Sequence, residues 1–311
     1  MTLAKNTFGK RTTAEQARRD VSLAGKTAIV TGANAGLGEE TSRVLALAGA
    51  NVVMACRNVQ AGEESAKALR AALPAGSGTL EVMALDLGSF ASIRKFAEAF
   101  KAKHDKLHIL VNNAGVMATP LGKTADGHET QLGTNHLGHF LLTTLLLDTL
   151  QASAPSRVVA VSSELHKRSN GERMMATLES DPGYAQRKYV PFDAYGDSKL
   201  ANALFARELG KRLRGTGVLA FSLHPGVIPT KLSRHMGVVG SIYQVVGKLF
   251  LKTVAQGAAT SVFAATAPEL TEANTGIYLS DCNEAQPIPA ATNDALAERL
   301  WNASEKAVAK S

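Results

Sequence analysis

Residues 26–49 read KTAIVTGANAGLGEETSRVLALAG. A short β-branched run, Lys26–Thr31, enters the turn Thr31-Gly32-Ala33-Asn34-Ala35-Gly36-Leu37-Gly38 without a linker, and an amphipathic stretch follows over Gly38–Ala48. Gly32 permits the tight turn, Gly36 lets backbone approach a pyrophosphate, and Gly38 allows helix and strand to pack closely. The helix N-terminus then offers unpaired N–H groups and partial positive charge to phosphates. Asn34, Ala35 and Leu37 complete the turn and join the three glycines as candidate cofactor contacts. The spacing is Gly-x3-Gly-x-Gly, not Gly-x-Gly-x-x-Gly. Three glycines can mark no more than a turn, but here a strand precedes and a helix follows, which is the context a dinucleotide site requires.

Working outward, further apolar runs suggest strands at Asn51–Ala55, Thr79–Leu85, His108–Asn112, Arg157–Ser162 and Val218–His224, with a weaker one at Gly276–Ser280. Between them lie amphipathic stretches near Gln60–Leu73, Ser89–Lys103, Asp126–Leu150 and Asp193–Arg214. Strand runs that are apolar throughout fit a parallel sheet covered on both faces. Strict β-α alternation predicts an α/β Rossmann fold, a doubly wound parallel sheet of about seven strands with helices on both faces. One domain over 26–311 is expected, after an N-terminal arm at 1–25. Two stretches break the rhythm, at about 164–192 and 231–253. Both belong at the carboxyl end of the sheet, where ligands bind in such folds.

Composition narrows the class. Of 311 residues, 34 are Lys or Arg and 27 Asp or Glu, a net charge of +7. No run of five or six like charges occurs, so dispersed surface charge is favoured and a nucleic-acid partner is not expected. The longest apolar run, Leu137–Leu150, is interrupted by His139, Thr143, Thr144 and Asp148 and is shorter than a membrane span. No transmembrane segment or secretory signal is expected. Cys56 and Cys282 cannot build a disulfide framework, which suggests a reducing, cytoplasmic setting. The pairs His136/His139 and His104/His108 have helical spacing but lack completing ligands. They are read as core or surface histidines, with no metal site expected.

The second strand bears on the cofactor's ribose. An acidic residue near its end would accept the 2′-hydroxyl of NAD. Here Cys56 and Arg57 stand there. A guanidinium can bind the 2′-phosphate of NADP, so NADP(H) is expected in preference to NAD(H), with Arg57 carrying that preference. Farther on, Tyr195-Gly196-Asp197-Ser198-Lys199 opens a long helix and places Tyr195 and Lys199 on one face. A tyrosine of pKa about 10 is a poor acid–base group near neutrality. A nearby ammonium would lower that value.

Ordered along the chain, TGANAGLG at 31–38, Asp86-Leu87, Asn112-Asn113-Ala114-Gly115, Asn135, Ser162-Ser163, Tyr195 with Lys199, and Pro225-Gly226 with Thr230 together resemble the short-chain dehydrogenase/reductase family over nearly the whole chain. The resemblance implies that Asp86 and Leu87 contact the adenine, and that Asn113, Ala114 and Gly115 pass beside its ribose. It implies Ser163 as the substrate-orienting serine, with Ser162 structural, and Tyr195 as the proton donor or acceptor. Lys199 would bind the nicotinamide ribose and lower the Tyr195 pKa, while Asn135 would kink its helix and hold a water in a proton relay. Ile228 would hold the carboxamide through its backbone, near Pro225 and Gly226, and Thr230 would lie near the pyrophosphate.

Local patterns such as VVMACRN, LGTNHLGHFLLT, AVSSELH and YGDSKLANALFAREL resemble the retinol-dehydrogenase-like branch, which includes WW-domain oxidoreductases and plant chloroplast-translocon-associated dehydrogenases. The expected activity is NADP(H)-dependent hydride transfer between the nicotinamide and the carbonyl or alcohol of a hydrophobic small molecule. The alternative is a cofactor-binding regulatory or scaffold protein with little turnover. Residues 241–252, SIYQVVGKLFLK, are expected to form an apolar substrate lid through Ile242, Tyr243, Val246 and Leu249. Helices 126–150 and 193–214 are the surfaces through which members of the resembled family commonly dimerise, yet members with a long insertion here can be monomers. Homodimer and monomer both stay open.

Overall fold

Strand formation follows the apolar runs, and strand order then creates the crevice where a ligand can sit. The computed structural model describes residues 6–228 and 251–309. Its strands are β1 (Thr27–Thr31), β2 (Asn51–Cys56), β3 (Leu80–Ala84), β4 (Ile109–Asn112), β5 (Ser156–Val161), β6 (Val218–His224), β7 (Tyr278–Ser280) and β8 (Asn283–Glu284). They form one eight-stranded sheet in the order β3-β2-β1-β4-β5-β6-β7-β8. All neighbours are parallel except β7 and β8. The count is therefore eight rather than about seven. The added strand has two residues, too short to leave an alternating pattern. The order reverses between β1 and β4, a topological switch point with its crevice at the strand carboxyl ends.

Helices cover both faces. On one lie α1 (Ala14–Arg18), α2 (Gly36–Leu47), α3 (Val59–Ala72) and a late helix, Val254–Thr266, packed around Val30, Met54, Val111, Val159 and Phe263. The N-terminal arm is docked through α1, whose Ala14 and Ala17 are buried, and through Phe8, edge-on to Phe263. Arg157 on β5 donates to the carbonyls of Ala264, Ala267 and Leu270, so a cation closes the carboxyl end of the late helix.

The other face holds α4 (Phe90–Lys103), α5 (Thr130–Leu132), a π turn over Gly133–Leu137, α6 (Gly138–Leu145), α7 (Leu147–Ala152), α8 (Glu172–Glu179) and α9 (Pro191–Arg212). In chain order the late helix is α10 (Val254–Thr266), and the last is α11 (Asp294–Ala309). Trp301 of α11 stacks on Phe205 and meets Phe140 edge-on at 4.9 Å, with Arg212 over its ring at 4.5 Å. His136 of the π turn bonds Ser304 of α11. The chain's own last helix thus packs against α9 and the π turn, part of the helical surface considered for dimerisation. No described helix is long and apolar enough to cross a membrane.

Trp301 is 6% exposed and joins α6, α9 and α11 in one aromatic cluster. Trp301→Ala is expected to lower the unfolding free energy by about 3–5 kcal/mol. Urea denaturation followed by far-UV circular dichroism checks this, and a loss under about 1 kcal/mol would mean that α11 is not part of the core.

Candidate active site

The glycine turn is held from beneath. A Cβ on Gly38 would lie 2.5 Å from the Gly32 carbonyl oxygen and 2.6 Å from Asn113 Nδ2, so only glycine fits this crossing. Gly32 and Gly36 have φ of +65° and +59°, a region that L side chains avoid. Ala35 is the N-cap of α2 and supplies no side-chain cap, so among the described residues the first-turn N–H groups have no side-chain partner at that end. Asn34 and Leu37 are half-buried. Leu37 and Ile228 both abut Gly257 of α10, which joins the turn to the end of β6. Arg57, at the end of β2, is exposed and has no hydrogen bond or ion pair among the described residues.

Across the switch point, Asn113 and Ala114 donate their backbone N–H groups to Thr31 Oγ1, each at 2.9 Å. Asn113 Nδ2 donates to the Thr31 carbonyl at 2.8 Å. Gly115 faces Asn135 Oδ1 and Lys199 Nζ; a Cβ there would be 3.2 and 3.5 Å from them. Asp86 Oδ1 accepts from Gly88 N. Leu87 is buried in the core, and its carbonyl leaves no room for a Cβ on Gly138.

Asn135 sits in the π turn that interrupts the expected continuous helix 126–150. Its amide pairs with one residue as a strand would: Oδ1 accepts from Val116 N at 2.8 Å, and Nδ2 donates to Val116 O at 3.0 Å. Nδ2 also donates to Ser198 Oγ at 2.9 Å, and that hydroxyl donates to the Tyr195 carbonyl. The loop after β4 and the amino end of α9 are thereby tied to one side chain.

Tyr195 and Lys199 are 4% and 3% exposed, with Lys199 Nζ 5.6 Å from the Tyr195 ring centre. Nζ donates to the Val161 carbonyl at 2.9 Å. Burial pushes the Tyr195 phenol up to about 12, opposed by a hydrogen bond with the Ser163 side chain. Burial lowers Lys199 to about 8. Desolvation dominates at both groups and disfavours the charged form of each. Ser163 Oγ also accepts from Leu165 N. Ser162 Oγ instead donates to the Lys199 carbonyl at 2.7 Å, a purely structural bond.

At the end of β6, Pro225 is buried and Gly226 has φ of +95°. A Cβ on Gly226 would strike Lys252 Cδ at 2.5 Å. Lys252 is 3% exposed, and its ammonium pairs with Asp281. Thr230 and the lid residues Ile242, Tyr243, Val246 and Leu249 lie outside the described residues.

The 164–192 insertion packs onto α9. Leu165 O approaches Gly196 so closely that a Cβ there would be 2.6 Å away. Asp197, buried between Tyr195 and Lys199, receives Arg173 and Ser169 from the insertion. Tyr189 bonds Thr119 O and the buried Glu129, while Gln131 donates to Tyr189 Oη. Sequence reading did not assign Thr31, His139, Ser198, Asp197 or Lys252 to the site. The positions of Ser198 and Asp197 between Tyr195 and Lys199 were the available signals.

The family model described as short chain dehydrogenase matches residues 26–175. Human retinol dehydrogenase 12 is 48% identical over 287 residues, spanning 92% of this chain and 87% of that protein. Human retinol dehydrogenase 14 is 42% identical, spanning 90% and 85%. Among solved structures, an uncharacterized protein from Mycobacterium paratuberculosis superposes with a TM-score of 0.73 at 35% identity, covering 94% of this chain and 97% of that one. The Pseudomonas aeruginosa RhlG/NADP active-site complex superposes with a TM-score of 0.63 at 27% identity, covering 84% and 96%.

Burial of Lys199 has a measurable consequence for folding. Its folded pKa of about 8 lies below the ordinary 10.5, so the unfolded chain binds the extra proton between those values. The penalty is complete below about pH 8 and fades as pH rises. Lys199→Met should therefore be about 3 kcal/mol more stable than the wild type at pH 7, with the difference shrinking by pH 9.5. Urea melts at both pH values test this. A variant less stable at pH 7, or a difference independent of pH, would contradict the assignment.

Proposed function

The chain belongs to the short-chain dehydrogenase family, and from that premise we propose that it is an NADP(H)-dependent oxidoreductase acting on the carbonyl or alcohol of a hydrophobic small molecule. The carrying observation is the convergence of Asn135, Ser163, Tyr195 and Lys199 at the carboxyl ends of β4 and β5, beside an α2 N-terminus without a side-chain cap. A pyrophosphate fits that N-terminus. The exposed Arg57 guanidinium, without a partner among the described residues, supports NADP over NAD, because a 2′-phosphate matches its fork of donors.

When bound, the nicotinamide supplies the hydride. The protein's task is position and a proton. The Tyr195 phenol, kept protonated by burial, is in the form that donates to a carbonyl oxygen. Ser163, hydrogen-bonded to that phenol, is placed as a second donor, so negative charge developing on oxygen meets groups already oriented. Lys199, fixed on Val161 O, is proposed to hold the nicotinamide ribose. Asp86, Leu87, Asn113, Ala114 and Gly115 are proposed beside the adenosine. Pro225, Gly226, Ile228 and Thr230 are proposed beside the nicotinamide and pyrophosphate.

Substrate class follows from two supports. Leu121 and Val227 are large apolar side chains left 48% and 46% exposed, both on segments following β strands at this end of the sheet. Two relatives are named for retinol, a long apolar primary alcohol. Packing of α11 on α9 and the π turn, with Trp301 against Phe140, supports a monomer over a homodimer through those helices. The free, buried thiols of Cys56 and Cys282 support a cytoplasmic location.

Two substitutions separate the roles. Tyr195→Phe should lower kcat for NADPH-dependent reduction of decanal by at least about 100-fold, with NADPH affinity by fluorescence titration nearly unchanged; unaltered turnover would sink the proposal. Arg57→Asp should shift the NADPH-to-NADH ratio of kcat/KM towards NADH by about 100-fold. A constant ratio would remove Arg57 from cofactor recognition.

A further inference from the structure

His139 lies one turn beyond Asn135 on α6, is 2% exposed, and touches two parts of the site at once. Its Nδ1 is 2.9 Å from the Asn135 carbonyl, and its Nε2 is 2.8 Å from Thr31 Oγ1. A carbonyl can only accept, so Nδ1 carries the hydrogen. Enclosure keeps the ring neutral, with its pKa lowered to about 4 by burial, so Nε2 is left as an acceptor. Thr31 accepts from Asn113 N and Ala114 N, which occupies both oxygen lone pairs. Its own hydrogen then goes to Nε2 rather than to Val111 O, which is 3.4 Å away. Every donor and acceptor of this pair is used.

We propose that His139 is a positioning residue that joins the two halves of the site: its Nε2 orients the Thr31 hydroxyl, which holds the 113–115 loop against the glycine turn, and its Nδ1–H holds the backbone carbonyl of the Asn135 π turn. Each end serves a different property. The Thr31 end sets how the turn and the 113–115 loop meet, and so governs cofactor affinity. The Asn135 end sets the π turn, from which Asn135 reaches Val116 and Ser198 and, through Ser198, the backbone of Tyr195. It therefore governs turnover. A valine or leucine would fill the same volume and supply neither bond.

The inference rests on the proposed function, and its test separates the two. NADPH affinity is read by fluorescence titration and turnover by NADPH oxidation with decanal, for wild type, His139→Leu, His139→Asn and His139→Gln. Asparagine places an amide near the Nδ1 position and glutamine places one near Nε2. His139→Leu should weaken NADPH binding and lower kcat, each by about three- to tenfold, while the decanal KM stays within about twofold. His139→Asn should recover kcat but not NADPH affinity, and His139→Gln should recover affinity but not kcat. Affinity and kcat within about twofold of wild type in His139→Leu, or parallel losses in all three variants, would make His139 a packing residue and overturn the inference. A wild-type protein that neither binds NADPH nor oxidises it would instead overturn the proposed function.

Discussion

Gly38 and Gly32 cross with no space for a methyl group, and the 113–115 loop closes the same point from the far side of the switch. Close approach alone would not hold, because helix, turn and loop each bring buried backbone groups that need partners. The Thr31 hydroxyl supplies several of them, accepting two N–H groups from the neighbouring loop. Once this crossing is set, α2 points its uncapped N-terminus into the crevice between β1 and β4. Everything proposed for cofactor binding depends on that geometry.

The catalytic helix obeys a different logic. Tyr195, Asp197 and Lys199 are all buried on α9, and burial disfavours the charged form of each. Asp197 is compensated by Arg173 and Ser169 from the insertion. Among the described residues Tyr195 and Lys199 are less fully satisfied, with Ser163 and one carbonyl as their partners. Leaving polar groups under-compensated costs stability, and functional sites are where such costs collect. The insertion serves the site by securing α9 at Gly196 and Asp197 rather than by lying loose over it.

Legibility followed local physics. The all-apolar strands and the Thr31–Gly38 turn were readable because a buried parallel sheet and a tight turn each restrict which residues fit. Asn113, Asn135, Tyr195 and Lys199 were readable as positions in an ordered motif. α10 was missed because it is buried nearly all round, so no amphipathic period marks it, and β8 is too short to alternate. The π turn requires tertiary knowledge, since the Val116 backbone that rewards the Asn135 amide is 19 residues away. The same holds for His139, which resembles an ordinary core histidine until Thr31 is placed against its second nitrogen. The burial of Tyr195 and Lys199 was not legible, because spacing along a helix says nothing about the dielectric around it.

The central claim is hydride transfer from NADPH at a site organised around Tyr195. Its most direct measurement uses NADPH carrying deuterium at both C4 positions, with decanal as acceptor and mass spectrometry of the alcohol formed. The account predicts decanol with one deuterium on its carbinol carbon, formed by wild type. Decanol without that deuterium, or NADPH that binds and is never consumed with any hydrophobic aldehyde or ketone, would contradict it.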